Sequence, residues 1–349
     1  MSIFEHSEFD NHEHVAFCRD KRSGLSAIIA IHDTGLGVSL GGCRMWPYKT
    51  SEDALHDVLR LSKGMTYKAA MAGLKQGGGK AVIIGDPSTE KTPEMMAAMG
   101  KFIDSLSGNY ISAEDSGMTV ADLKLIEKTT PYVAGIHAKY HIDNNSTDGN
   151  PAPSTAYGVF VGLKASVDYA LGQALKDTKI LIEGLGQVGM RLAAYLHKSG
   201  AKLYVTDINQ VNIDKAVEAY DAVAVPIEEA YSLNVDVYAP CALGATLNEN
   251  TINELKVKVV AGAANNQLEN EEFGEILRTK GILYAPDYVI NAGGVIDIYH
   301  QSIVSSKQKL KEHIEAIEQT LIEIYRRSAA ESKAPNLIAN KIAEERFGK

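Results

Sequence analysis

The stretch KILIEGLGQVGMRLAAYLHKSG, residues 179–200, constrains the fold more than any other part of the chain. KILIE is an apolar, β-branched run that reads as a buried strand, and MRLAAYLHKSG reads as an amphipathic helix. Between them, Gly184, Gly186 and Gly189 keep the G-x-G-x-x-G spacing. The first glycine permits a tight turn, the second lets backbone approach a pyrophosphate, and the third packs the helix on the strand. The helix N-terminus then offers its free N–H groups to a diphosphate. Three glycines alone are a weak signal. Here the strand–turn–helix context is present, and the next strand, KLYVTD, ends in Asp207, 18 residues after Gly189. A carboxylate there binds a ribose diol and repels a 2′-phosphate, which favours NAD over NADP. The expectation is a doubly wound, Rossmann-type dinucleotide-binding unit.

Around that unit, strand-like and helix-like patterns alternate, which reads as α/β. HVAFCRD and SAIIAIHD, separated by KRSG, predict a hairpin or sheet edge. Ala54, Leu55, Val58, Leu61, Met65 and Ala69 recur at three and four residues and predict a helix from Ser51 to Ala72, ending near Gly73. AVIIG follows as a short strand, then a helix from Pro93, a strand NYISAED and a helix from Thr119 to Lys128. HAKYHIDNNSTDGNPAP is polar, carries Gly and Pro, and has no apolar period, so it is the best linker in the chain. Beyond it, helices are expected from Thr155 and Gln187, and strands at VDVYAP and VKVVAGAA. The expected domains are 1–136 and 150–331, joined by a linker at 137–149. A C-terminal helix at about 332–349 folds back on the first domain.

A chain of 349 residues exceeds one ordinary core, and 45% hydrophobic with 23% charged residues describes a globular protein. A net charge of -9 without a basic cluster argues against nucleic acid or an anionic membrane as partner. No apolar run is long enough to span a bilayer, and MSIFEHSEFD is too polar for a signal peptide, so a cytoplasmic location is expected. Cys18, Cys43 and Cys241 are an odd, widely spaced set that fits reduced thiols. No metal site is expected: the histidines are scattered, and His137 and His141 lack the glutamate of a metalloprotease helix.

GLKQGGGKAVIIGDP, residues 73–87, looks at first like a phosphate cradle. The P-loop pattern fails, because Leu74 stands at its first glycine and Ala81 follows Lys80 where a hydroxyl is needed. What remains is a lysine beside glycines, with Lys68 twelve residues earlier on the last turns of the predicted helix. Two ammonium groups near one partly buried pocket depress each other's pKa, which points to a general base working near neutral pH.

GGCRMWPY (41–48), KGMTYKAA (63–70), LKQGGGKAVIIGDP (74–87), SAEDSG (112–117), PSTAYG (153–158), APCALGATLN (239–248), AGAANNQL (261–268) and APDYVINAGGV (285–295) together resemble the Glu/Leu/Phe/Val amino acid dehydrogenases, in the family's order and over nearly the whole chain. The resemblance implies an N-terminal α/β domain for substrate and oligomer contacts, facing an NAD-binding domain across a deep cleft. It implies that Lys80 activates water, that Lys68 pairs with the substrate carboxylate, and that Asp115 moves protons to and from the amino nitrogen. Gly41 and Gly42 would line the carboxylate region, and Leu40, Met65, Ala113 and Val295 the side-chain pocket. Thr155, Asn265 and Asn291 would lie near the nicotinamide end of NAD, with Gln187, Val188, Ala239 and Cys241 completing the cofactor site.

The implied reaction is reversible oxidative deamination of an L-amino acid to a 2-oxo acid, ammonium and NADH by a homo-oligomer. Leu40, Ala113 and Val295 match the branched-chain enzymes, whereas aromatic-specific members tend to carry glycine at 113 and leucine at 295. The alternatives are the same chemistry on an aromatic L-amino acid, or a non-catalytic NAD-binding protein. A 2-hydroxy acid dehydrogenase would need a histidine base with a carboxylate and a substrate arginine, and no such group stands out. Two segments depart from the family pattern: HAKYHIDNNSTDGNP at the domain junction and IYHQSIVSSKQKLKEH after NAGGV.

Overall fold

Strands β1 (His14–Asp20) and β2 (Leu25–Asp33) pair antiparallel, as the hairpin pattern predicts. They are followed by β3 (Ser39–Trp46), α1 (Ser51–Met71), β4 (Gly77–Ile84), α2 (Pro93–Asp104), β5 (Tyr110–Glu114) and α3 (Val120–Glu127). This computed structural model describes residues 3–136, 142, 150–303 and 305–348, so the expected linker at 137–149 lies outside the described residues apart from Ile142. The first sheet has five strands in the order β1-β2-β4-β3-β5; β2 is antiparallel to β4, while β4, β3 and β5 run parallel.

The two faces of this sheet follow from the two-residue period of a strand. Ala27, Ile29, Ala81 and Ile83 pack with Met96, Met99 and Ile103 of α2. Ile28, Ala30 and Val82 pack with Ala54, Val58 and Leu59 of α1. Lys80, two residues before Val82, therefore shares the α1 face, on which Lys68 also lies.

Two elements differ from expectation. SLGGCRMW forms β3 and sits between β4 and β5, although its glycines and Arg44 hide any alternation. The strand expected at AVIIG begins earlier, at Gly77, so the three glycines and Lys80 are strand rather than loop. A Cβ on Gly78 would stand 2.0 Å from the Thr66 nitrogen of α1, and one on Gly41 would stand 1.6 Å from the Gly79 carbonyl oxygen. Glycine is needed here so that α1 and the neighbouring strands can close on β4.

The second unit runs through α4 (Ala152–Leu171), β6 (Lys179–Glu183), α5 (Gly189–Lys198), β7 (Lys202–Thr206), α6 (Gln210–Tyr220), β8 (Val223–Ala224) and α7 (Ile227–Ala230). It continues with β9 (Val237–Pro240), α8 (Glu249–Glu254), β10 (Val259–Val260), α9 (Phe273–Thr279) and β11 (Leu283–Tyr284). The six strands lie in the order β11-β10-β9-β6-β7-β8 with every neighbouring pair parallel. Numbered from β6 and read from β8, this is the 3-2-1-4-5-6 order of dinucleotide-binding sheets. Helix α4 starts at Ala152 rather than Thr155, because Pro153 fits a first turn where its missing N–H is not needed. Helix α5 starts at Gly189 rather than Gln187, the preceding residues being used in the turn.

The chain ends in α10 (Asp287–Ile290), α11 (Gly293–Ser302), α12 (Lys307–Glu315), α13 (Ile317–Glu331) and α14 (Pro335–Phe347). Helix α14 packs on α1: Tyr67 donates to Glu344 Oε1 at 2.8 Å, and the Tyr67 and Phe347 rings meet edge-on at 5.3 Å. One apolar core joins Tyr67, Ala70 and Met71 of α1 to Val289, Ile296 and Ile342, so α1 belongs to the packing of both sheets.

Candidate active site

The α1 face of the first sheet carries the charged groups. Lys80 is buried, at 6% exposure, and its Nζ is ion-paired with Asp115 Oδ2. Asp115 follows β5 directly, and its other oxygen, Oδ1, accepts the Ser116 N–H at 2.7 Å. Burial pushes the Asp115 carboxyl up, but Lys80 and then Arg44 outweigh it and hold the group at about 2. The carboxylate is thus ionised with two cations on one oxygen, Arg44 Nε lying 3.5 Å from Oδ2.

The depression expected from two neighbouring lysines falls on Lys68. Burial is its main cause, with Lys80 adding to it and Asp287 and Asp115 opposing, and the ammonium is brought down to about 8. Lys68 Nζ donates to Asn291 Oδ1 at 2.7 Å, and Asn291 Nδ2 donates to Asn265 Oδ1 at 2.8 Å and to the Ala263 carbonyl at 3.1 Å. A polar chain therefore runs from α1 to the residue that ends α10 and on to the loop after β10. It brings together Lys68, Asn291 and Asn265, which are far apart in sequence.

Of the apolar residues expected to receive the substrate side chain, Leu40, Met65 and Val295 belong to or pack on the core that α1 shares with α11. Leu40, Ala134 and Val295 are buried in one cluster, with Met65, Ile111 and Ile298 packed against it; Ile298 lies one helical turn beyond Val295 on α11. Ala113 is buried on β5 and pairs with Gly42 of β3. A Cβ on Gly42 would stand 2.6 Å from Asp115 Cβ, so glycine here lets Asp115 lie against β3. Gly41 and Gly42 both accept from the buried Tyr110 hydroxyl through their carbonyls, at 2.9 and 3.2 Å.

The glycines of the β6–α5 turn separate by role. Gly184 has φ +94°, and a Cβ there would meet Ala242 atoms at 2.7–2.9 Å. A Cβ on Gly189 would stand 1.9 Å from the Gly184 carbonyl oxygen, so the start of α5 rests on the turn. Gly186 is exposed and would meet nothing within 4 Å. Nothing among the described residues requires glycine there, and the open backbone leaves room for a pyrophosphate. Asp207, just past β7, accepts the Leu185 N–H with Oδ2 at 2.5 Å and the Asn209 N–H with Oδ1 at 2.7 Å, which fixes its carboxylate beside the turn. These residues fit a dinucleotide.

Of the other residues expected around the cofactor, Gln187, Val188, Ala239 and Cys241 lie about this turn, and Thr155 lies apart from it beside Gly293 and Gly294. Gln187 is exposed and accepts from Arg191 through its carbonyl and its Oε1, and Val188 precedes α5. Ala239 is buried on β9; Cys241 N donates to the Glu183 carbonyl at 2.7 Å, and burial pushes its thiol up to about 12. Thr155 Oγ1 donates to the Pro151 carbonyl at 3.0 Å within the first turn of α4.

Sequence reading misses Arg44 and Asp57. Arg44 Nη1 meets Asp57 Oδ2 at 2.8 Å, and Asp57 also accepts from Tyr48 at 2.6 Å and Arg60 at 3.2 Å. The only available signal was the GGCR run, in which Arg44 is placed by period two on the same face as Gly42. Among the described residues no group of three or more His, Cys, Asp or Glu side chains could hold a metal ion, and no helix is long and apolar enough to cross a membrane.

Residues 12–132 match the Glu/Leu/Phe/Val dehydrogenase dimerisation domain, and residues 204–346 match the glutamate/leucine/phenylalanine/valine dehydrogenase domain. The chain belongs to the Glu/Leu/Phe/Val dehydrogenase family. It is 48% identical to a leucine dehydrogenase of Bacillus cereus, covering 99% of this chain and 94% of that one. It is 44% identical to a phenylalanine dehydrogenase of Caldalkalibacillus thermarum, covering 100% and 95%. Its fold is similar to the crystal structure of L-tryptophan dehydrogenase from Nostoc punctiforme, with a TM-score of 0.85, 42% identity, and 97% and 96% of the two chains covered. The protein is an amino acid dehydrogenase of a family that uses NAD(P).

Proposed function

We propose that the enzyme catalyses the NAD-dependent, reversible oxidative deamination of the branched-chain L-amino acids leucine, valine and isoleucine, and that it works as a homo-oligomer. The observation that carries this reading is the buried Lys80–Asp115 pair, with Lys68 beside it on the α1 face and reaching Asn291 on the dinucleotide side. Bound NAD⁺ supplies the acceptor for a hydride. Gly184, Gly186 and Gly189 seat its pyrophosphate, Asp207 takes the ribose diol and disfavours a 2′-phosphate, and Asn265 and Asn291 lie toward the nicotinamide. Thr155 lies on the same side, and Gln187, Val188, Ala239 and Cys241 border the cofactor.

Lys68 holds the substrate carboxylate, which fixes the Cα–H toward the cofactor side. Gly41 and Gly42 line the carboxylate region. Hydride loss leaves an imine. Lys80 first gives up its own proton to solvent; the free amine then takes a proton from the water that adds to the imine carbon, and Asp115 carries protons to and from the nitrogen as the carbinolamine releases ammonium. Leu40, Met65, Ala113 and Val295 receive a branched aliphatic side chain. The similarity to phenylalanine and tryptophan dehydrogenases makes side-chain choice the point to test.

The test is NADH formation from a panel of leucine, valine, isoleucine, phenylalanine, tryptophan and glutamate, with NAD⁺ and NADP⁺ compared. Each aliphatic substrate should show a higher kcat/KM than the aromatic ones, and NAD⁺ should be preferred. Lys80→Ala should abolish turnover and leave NADH binding intact, while Lys68→Ala should mainly raise KM for the amino acid. Near-full activity in Lys80→Ala, or a preference for an aromatic substrate, would overturn the assignment.

A further inference from the structure

We propose that Arg44, braced from behind by Asp57, positions the Asp115 carboxylate for proton transfer. This rests on the role given to Asp115 above and adds two residues to it. In the parallel β3–β5 pair, Gly42 faces Ala113 and Cys43 faces Glu114, so the register brings Arg44 level with Asp115 one step beyond the end of β5. On its other side Arg44 pairs with Val82 of β4, two residues from Lys80. Arg44 therefore lies between the strand that carries Lys80 and the carboxylate that Lys80 meets.

Both cations contact the same oxygen, Asp115 Oδ2, and Ser116 N–H holds Oδ1. The two cations have different duties. Lys80 has to turn to water and exchange a proton, so it cannot hold Asp115 throughout the cycle. Arg44 keeps its charge at every working pH and is itself fixed. Asp57 takes Arg44 Nη1 at 2.8 Å, and it is held by Tyr48 at 2.6 Å, from the segment after β3, and by Arg60 at 3.2 Å, from its own helix α1. The chain Asp57–Arg44–Asp115 keeps one carboxylate aimed while its other partner moves. A pocket of about 340 Å³ lined by Arg44, Trp46, Tyr48, Asp57 and Ser116 opens on this chain, so a small solute can reach the guanidinium.

The pocket supplies a test that a merely structural ion pair would not satisfy. Full-length Arg44→Ala, Arg44→Lys, Asp57→Asn and Asp115→Asn are assayed with L-leucine and NAD⁺ in H₂O and D₂O, with and without millimolar guanidinium. In Arg44→Ala, kcat should fall about a hundredfold, the scale of a misplaced proton-transfer group, with KM for leucine changing far less. The solvent isotope effect on kcat should rise, because proton transfer becomes rate-limiting. Guanidinium should restore kcat saturably in Arg44→Ala, but not in Asp115→Asn or the wild type. Arg44→Lys should recover part of the loss, and Asp57→Asn, which keeps the guanidinium but frees it, should show a smaller loss with the same rise in isotope effect.

The inference fails if Arg44→Ala stays within about twofold of wild-type kcat, or if its loss comes with an unchanged isotope effect and no rescue, the pattern of a fold defect. Should Arg44→Ala not fold, unaltered kcat and isotope effects in both Arg44→Lys and Asp57→Asn overturn it equally. Asp115→Asn separates the two levels. Near-full activity there removes the proton role of Asp115 itself, whereas an inactive Asp115→Asn beside undamaged Arg44 variants removes only the role of Arg44.

Discussion

Lys68 has to be charged to receive a carboxylate, yet burial brings its ammonium down to about 8. Below that pH the cation is present, and above it the neutral amine predominates. The groups around it are Lys80, which lowers it further, and Asp287 and Asp115, which oppose the shift without cancelling it. A branched aliphatic carboxylate without an amino group, such as 4-methylpentanoate, isolates this ionisation because the ligand itself does not titrate there. Its inhibition constant should be flat below about pH 8 and then rise about tenfold per pH unit, one proton being lost per site. Lys68→Met should bind it weakly with no such dependence, and a constant that stayed flat to about pH 10 in the wild type would contradict the carboxylate role. At this scale the two lysines stood out in sequence because Lys80 follows three glycines and Lys68 lies twelve residues before it, whereas Asp115 was expected only from the family resemblance. Arg44 and Asp57 were not, because their significance is a contact between residues 13 apart on a strand and a helix, and nothing local marks it.

The strand–helix pair of β4 and α1 sets the distance between the two lysines, and glycine makes that pair possible. Thr66 of α1 is buried against Gly78 and shares a 2.9 Å hydrogen bond with His32 Nδ1, so it has no room to retreat. Gly78→Ala should cost about 3 kcal/mol, the upper part of the usual range for overpacking, and should lower activity by moving α1. Gly64 is the internal control: it lies in α1, is exposed, and its Cβ would meet nothing within 4 Å. Gly64→Ala should stabilise by about 0.5–1 kcal/mol through helix propensity. Urea midpoints at constant slope measure both, and a Gly78→Ala protein as stable as Gly64→Ala would refute the close-packing account. The same glycines explain what the pattern conceals. Periodicity marks α1, β2 and the β6–α5 turn well, but Gly77–Gly79 and Gly41–Gly42 carry no side chain to alternate, so β3 has no expected counterpart and β4 is expected to begin only at Ala81. The two-residue strands β8 and β11 are too short for a period of their own and are ordered by their neighbours, whereas β10 was expected within VKVVAGAA.

Over the whole molecule, the C-terminal end of α1 is the place where distant parts of the chain meet, and it lies one turn beyond Lys68. The last carbonyls of a helix have no partner within it. Here Arg346 of α14 donates to the Ala70 and Met71 carbonyls at 3.1 and 3.0 Å, and His313 of α12 lies with Nε2 2.7 Å from the Ala72 carbonyl. A carbonyl only accepts, so Nε2 carries the proton, and in a neutral ring Nδ1 then accepts from His300 Nε2 at 2.9 Å. Burial, then His313 and Lys309, push His300 down to about 4, so its ring stays neutral over the working range. His300 and His313 both fall in the segment that departs from the family pattern, so their meeting at α1 could not be carried over by position. Arg346→Ala and His313→Leu should each cost about 1–2 kcal/mol, the usual loss for a hydrogen bond with one partner left unpaired. Together they should speed amide hydrogen exchange at Ala70–Gly73 and raise KM for the amino acid, because Lys68 rides on that turn. Amides of β6 and β9 serve as the internal reference. If the double variant exchanged at the wild-type rate in α1 and kept its KM, the terminal contacts would be incidental to the placement of Lys68, and the β4–α1 packing alone would have to hold it.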